Sequence, residues 1–165
     1  MEDWATKLDA EIHSFALGEA EGMLEINLRA EEIGGSSLFE DVGSVDLQGR
    51  YAVPVKRFDA VFSHIPRPAL CKIDVQGAEL MVISGMKDKL AEIDVLIVEC
   101  SLIATLEGEA PEFFDVMQAL HGHGFVFYEW IGVARRPLDG ALAQLDAVFV
   151  PRESVLRADR RWAAD

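Results

Sequence analysis

An α/β fold, a parallel sheet with helices on both faces, is what this sequence predicts. Two observations carry that expectation. From Leu70 onward, strand-like and helix-like stretches follow one another in the order strand, helix, strand, helix, strand. Within that series, Ile93 to Val98 (Ile-Asp-Val-Leu-Ile-Val) has the unbroken apolar character of a strand buried on both faces, as in a parallel sheet. The chain has 165 residues, half of them hydrophobic and 27% charged, which suits a single domain over 1–165 with a sizeable core.

Taken in order, Met1 to Ala10 has helical composition, with Trp4 and Leu8 four apart on one face. Ile12 to Leu17 reads as a short strand ending at Gly18. Met23 to Leu28 alternates as a half-buried strand does, and a hairpin across Gly18 to Gly22 would join the two. Residues 30–50 are rich in Gly, Ser and acid, with Gly34-Gly35-Ser36-Ser37-Leu38 at their middle. They read as a long loop, and loops of that length are either lids and binding segments or disordered. Tyr51 to Val55 is a strand in which Pro54 favours an edge or a distorted position. Asp59, ahead of Ala60-Val61-Phe62, is placed to cap a short helix, and Pro66 and Pro68 punctuate the chain before the next strand.

The stretch Leu70-Cys71-Lys72-Ile73-Asp74-Val75-Gln76-Gly77-Ala78-Glu79-Leu80 changes from strand-like to helical spacing at its middle. Leu80, Ile83 and Met86 then share one helical face, and the helix runs to about Leu90. Asp74, Gln76 and Gly77 fall at the strand's carboxyl end, the edge at which open α/β sheets bind ligands. Burying an unpaired carboxylate is costly, so Asp74 either faces a cleft or accepts hydrogen bonds from the turn, where it could simply cap the helix. The strand Ile93–Val98 ends at a second carboxylate, Glu99, which either belongs to the same site or caps local backbone donors. Pro111 opens a helix whose stripe Phe113, Phe114, Met117 and Leu120 is core, and Gly122 and Gly124 stop it. Phe125 to Ile131 and Leu145 to Val150 read as closing strands, and residues 151–165 as a C-terminal tail.

Charge and composition exclude several functions. A formal net charge of -14 disfavours nonspecific contact with nucleic acid or anionic membranes, because phosphate contacts need clustered Lys and Arg. The basic group from Arg157 to Arg161 contains Asp159 and reads as a solvated tail. No apolar run approaches a membrane span, and the acidic start Met1-Glu2-Asp3-Trp4 lacks a signal-peptide pattern. Cys71 and Cys100 sit in apolar runs as small core residues, which together with the N-terminus predicts a reducing, cytoplasmic setting. His121 and His123 have no partner at metal-ligand spacing, so no metal is expected.

The eight residues Lys72-Ile73-Asp74-Val75-Gln76-Gly77-Ala78-Glu79 resemble the K-I-D-V-E-G-A-E signature of FkbM-type S-adenosylmethionine-dependent methyltransferases, with Gln76 in place of the usual Glu. Ala16-Leu17-Gly18 with Gly22 is similar to the family's A-L-G-x-x-x-G, Ser36-Ser37-Leu38 to a short serine motif, and Asp59 to the end of a T-L-D strand. Asp146-Ala147-Val148-Phe149-Val150 resembles a D-x-x-F-V ending, so the resemblance runs over roughly 12–150. It implies a class I methyltransferase, Rossmann-like sheet. It implies methyl transfer from S-adenosylmethionine to a hydroxyl of a small-molecule substrate such as a sugar, polyketide or other secondary metabolite. Asp74 and Glu79 are the implied catalytic candidates, with Glu99 third, though Glu79 could equally make a structural salt bridge. Ala16 and Leu17, with Asp74, are the implied cofactor-binding residues, and Ser36 and Ser37 the implied lid.

One part of the family pattern has no counterpart. The resemblance starts at the family's third strand, and the glycine-rich cofactor turn after the first strand is not found. An N-terminally truncated sheet is therefore expected, from a fragment or from a degenerate, non-catalytic relative acting as an interaction module. The edges left unpaired would favour self-association, so a homo-oligomer or a marginally stable chain is expected.

Overall fold

The computed structural model describes residues 10–29, 36–40, 47–104, 106, 108 and 110–163. The helix expected over Met1–Ala10 and most of the loop expected over 30–50 lie outside the described residues. Within them the fold is mixed α/β, with seven strands in two sheets.

The first sheet holds β1 (Ala16–Leu17), β2 (Gly22–Arg29) and β3 (Leu47–Lys56), in the order β1-β3-β2. The hairpin expected between the first two is therefore not formed. β3 lies between them, parallel to β1 through Ala16–Val55 and antiparallel to β2 from Gly22–Val55 onward. The reason is ladder length: the two residues of β1 offer β2 little, whereas ten-residue β3 pairs along the whole of it. β3 also begins at Leu47, inside the stretch read as loop. β1 reaches β3 only at Val55 and Lys56, so Pro54, lacking an N–H, sits just before the paired stretch on that edge.

Next come α1 (Phe58–Val61) and the strand β4 (Leu70–Ile73). Asp59 does not cap α1, because the N-cap position belongs to Arg57. Its carboxylate is taken by the Arg57 guanidinium, with Nε at 2.9 Å and Nη2 at 2.5 Å, a two-point pairing that holds it against the first turn.

The second sheet is β4, β5 (Val95–Ser101), β7 (Leu142–Pro151) and β6 (Phe125–Arg135), in that order. β4 and β5 are parallel, while β7 runs antiparallel to both β5 and β6. The parallel arrangement expected for the sheet does not extend to β7. Only six residues, Arg136 to Ala141, join β6 to β7, and so short a connection must reverse the chain.

α2 (Glu79–Gly85) and α3 (Phe113–Gly122) pack against one another. Their buried Val82, Ile83, Val116 and Leu120 meet Leu96, Val98 and Cys100 of β5 and Leu145, Ala147 and Phe149 of β7. Alternate strand residues lie on one face, so α2 and α3 cover the same face. The two-sided cover that was expected is seen on one side among the described residues. Each fully buried side chain such as Leu120 or Phe149 stabilises the fold by about 1.5–3 kcal/mol.

Two boundaries move. α2 ends at Gly85 rather than near Leu90, which instead opens a 3-10 turn over Leu90–Glu92. β5 continues past Glu99 to Ser101 because Glu99, Cys100 and Ser101 find register partners on β7. Phe114 leaves the core stripe and is 63% exposed, since Phe113, Val116, Met117 and Leu120 define the inward face of α3. That helix starts with a reciprocal box in which Glu112 and Asp115 each accept from the other's backbone N–H.

Gly85 lets α2 meet the first sheet. A Cβ there would run into the Gly18 carbonyl, backbone just beyond β1 that Gly18 N–H ties to Lys56 at 3.0 Å. α2 thereby touches both sheets, with Leu17 of β1 packed on the core of the second.

Candidate functional site

The site is built where β4 runs out. Two successive left-handed residues, Gln76 (φ 50°) and Gly77 (φ 101°), turn the chain from β4 into α2. Gly77 also has no room for a side chain, because Phe39 and Leu106 fill the space a Cβ would enter. Gln76 has a side chain and holds the same region at a cost of about 1 kcal/mol. Three bonds offset that cost. Its carbonyl accepts from Ser37 Oγ at 2.5 Å, and its amide Nε2 donates to Asp74 Oδ1 at 3.1 Å and to Glu99 Oε2 at 2.5 Å.

Asp74 and Glu99 are thus brought together by one amide. Lys72, two residues before Asp74 and therefore on the same side of the chain, donates to Asp74 Oδ2 at 2.8 Å and stands 3.6 Å from Asp146 Oδ1. Asp146 is the register partner of Glu99 across β5 and β7. Its Oδ1 is buried without a hydrogen bond. Glu99, Asp146 and Gly132 border a cavity of about 220 Å³ that opens beside the pair. A side chain at Gly132 would collide with Asp146 Oδ2.

Three carboxylates against one ammonium set the electrostatics. Burial pushes Asp74 upward, but the bonds from Lys72 and Gln76 outweigh it and hold the group below the ordinary carboxylate range. Burial and the charge of Asp74 push Glu99 upward. Lys72 is raised by its bond to Asp74. Behind the sheet, burial and then the charges of Glu79, Glu99 and Asp146 push the Cys100 thiol up to about 12, leaving it a protonated core group.

The other expected site residues separate from this pair. Glu79 is 4% exposed and lies beneath the turn, where it accepts from Gly77 N–H at 2.9 Å. Burial raises its pKa, and there it holds the turn rather than facing the cavity. Ser37 is buried and reaches the site through the Gln76 carbonyl, while Ser36 Oγ accepts from Arg29 N–H on β2. Asn27 holds the same segment by donating to the Phe39 carbonyl at 3.3 Å and by backbone bonds with Ser37. Ala16 and Leu17 are on β1, in the other sheet, and Leu17 faces the core.

Asp146 and the bridging role of Gln76 were not legible in the sequence. The available signals were the D-x-x-F-V ending, which starts at Asp146, and the single departure from the eight-residue signature, which is Gln76. His121 Nε2 lies 2.9 Å from Arg152, and no group of three His, Cys, Asp or Glu side chains suited to a metal occurs among the described residues.

Residues 2–127 match the family model of the methyltransferase FkbM domain. The chain belongs to the FkbM methyltransferase domain family. No curated protein and no solved structure matches it. The match covers both sheets up to the start of β6 and includes Asp74, Gln76, Glu79 and Glu99, while Asp146 on β7 lies beyond it. Among the described residues no helix is long and apolar enough to cross a membrane.

Proposed function

We propose that this FkbM domain transfers a methyl group from S-adenosylmethionine to a hydroxyl of a small molecule, a sugar, polyketide or other secondary metabolite, in the cytoplasm. One observation supports it above the others: within a chain of this family, Asp74 and Glu99 converge at the carboxyl ends of β4 and β5.

The donor set suits such a cofactor. Asp74, Glu99 and Asp146 outnumber Lys72, and that excess of negative charge complements a sulfonium with ammonium and hydroxyl groups attached. Asp74 and Glu99 are the residues that would hold it. Ala16 and Leu17 would not, since they stand in the other sheet. When bound, S-adenosylmethionine supplies an electrophilic methyl group. The chain's own part is to fix the acceptor hydroxyl beside the Asp74–Glu99 pair and to take its proton. Glu99 suits that role because its raised pKa lies closer to neutrality, while Asp74 keeps its charge beside Lys72.

A second reading, a non-catalytic interaction module, draws on the glycines around α2. A Cβ at Gly77 would meet Phe39 and Leu106, at Gly85 the Gly18 carbonyl, and at Gly18 the Val55 side chain. None of the three leaves backbone open for a cofactor to lie against.

Methyl transfer from radiolabelled S-adenosylmethionine into a panel of hydroxylated acceptors separates the two. The catalytic reading expects turnover that falls about 100- to 10,000-fold in Glu99→Gln, the range for a lost acid–base group. Turnover unchanged by that substitution would dismiss the role of the pair.

A further inference from the structure

We infer that Gln76 is a positioning residue, whose amide clamps Asp74 and Glu99 together and so sets the protonation state in which the pair meets its substrate. The inference deepens the methyltransferase reading, but its physical core does not depend on it.

The geometry is specific. Gln76 Nε2 carries two hydrogens and no lone pair to offer, and it lies within bonding distance of one oxygen on each carboxylate. A donor to both partners stabilises both in their charged forms. A carboxylate at this position would have to carry a proton to bridge the pair, or else repel it. The left-handed backbone of Gln76 and the bond from Ser37 to its carbonyl fix where the amide stands, so the clamp is held by the turn.

The charged groups facing the pair are few among the described residues. Lys72 on β4 bonds Asp74 and approaches Asp146 on β7, and Glu79 lies beneath the turn on α2. The apolar Phe39 and Leu106 cover Gly77. Lys72 favours ionisation of the pair, and Asp146 and Glu79 oppose it. The amide of Gln76 is the neutral member of the cluster that favours the charged state of both.

The test follows the side-chain carboxyl carbons of the whole protein by carbon-13 NMR across pH 3 to 9, which needs no turnover. Gln76→Glu is expected to raise the upper titration of the Asp74–Glu99 pair by about one pH unit or more, because a third carboxylate joins it. Gln76→Ala is expected to raise it by less, through loss of the two donated bonds. Gln118→Glu, the same change on the exposed side of α3, leaves it in place. If Gln76→Glu does not fold, Gln76→Ala carries the test alone. Where turnover is measured, the acid limb of the rate profile moves up with the titration. A titration in Gln76→Ala that superimposes on the wild-type curve would overturn the assignment, whatever the protein catalyses.

Discussion

Replacing Gly85 by alanine sets two effects of opposite sign against each other. Gly85 is the last residue of α2 and has no left-handed backbone, so alanine fits its conformation. On helix propensity alone the change would stabilise the chain by up to about 1 kcal/mol. The added methyl, however, runs into the Gly18 carbonyl, with the Glu19 amide beyond it. Those are backbone atoms tied to β3, and they cannot swing aside as a side-chain tip would. Overpacking of this kind costs about 1–3 kcal/mol, which outweighs the propensity gain. A net loss of about 1–2 kcal/mol corresponds to a fall in Tm of roughly 2–8 °C for a chain of this length. Gly122→Ala is the matched control, since nothing lies within 4 Å of its Cβ position. It gains about 0.5–1 kcal/mol. Calorimetric melting of the two variants reads the sign directly. A Gly85→Ala protein as stable as Gly122→Ala would refute the contact between α2 and the first sheet.

Three further outcomes are expected. Glu79 has a raised pKa in the folded chain, so its contribution is fully present below the unfolded value near 4.3 and is lost as pH rises through the folded value. Gln keeps an acceptor for Gly77 N–H without a charge, so Glu79→Gln narrows the difference in Tm between pH 5 and pH 8, and an unchanged difference would count against the buried placement of Glu79. Ser37→Ala leaves the Gln76 carbonyl without its partner and costs about 1–3 kcal/mol, accompanied in hydrogen exchange by faster exchange at Phe39, whose N–H also bonds Ser37 Oγ at 3.0 Å. Finally, we propose that the chain self-associates: β4 pairs only with β5 among the described residues and Leu70 is 64% exposed, so light scattering is expected to show concentration-dependent dimers. A monomer at all concentrations, with cooperative melting, would remove that proposal.

Local signals carried much of the second sheet. The change of period at Asp74–Gly77, the apolar run before Glu99 and the stripe Phe113–Leu120 each state one element, and each element is there. What local signals did not carry is pairing. Nothing within β1 or β2 says that a strand beginning eighteen residues after β2 ends will lie between them, because register is settled by the length and packing of the partner. The reversal of β7 follows from loop length, which the sequence shows only once both strand ends are known. The site divides in the same way. Asp74 and Glu99 were legible because each stands at the end of an apolar strand. Their bridging by Gln76 and the approach of Asp146 are contacts across 23 and 47 residues that depend on sheet order. For Glu79 the sequence left a catalytic and a structural role open: its position in the first turn of α2 is clear, but its burial and its bond from Gly77 N–H are set by tertiary packing.

Calorimetric titration of the folded chain with S-adenosylhomocysteine, the product form of the cofactor, tests the proposed function most directly. Binding at micromolar strength, weakened in Asp74→Asn, is the expected result, since the carboxylates at the ends of β4 and β5 are the residues that would hold it. Absence of binding by a chain shown to be folded would contradict the proposed function and leave the interaction-module reading.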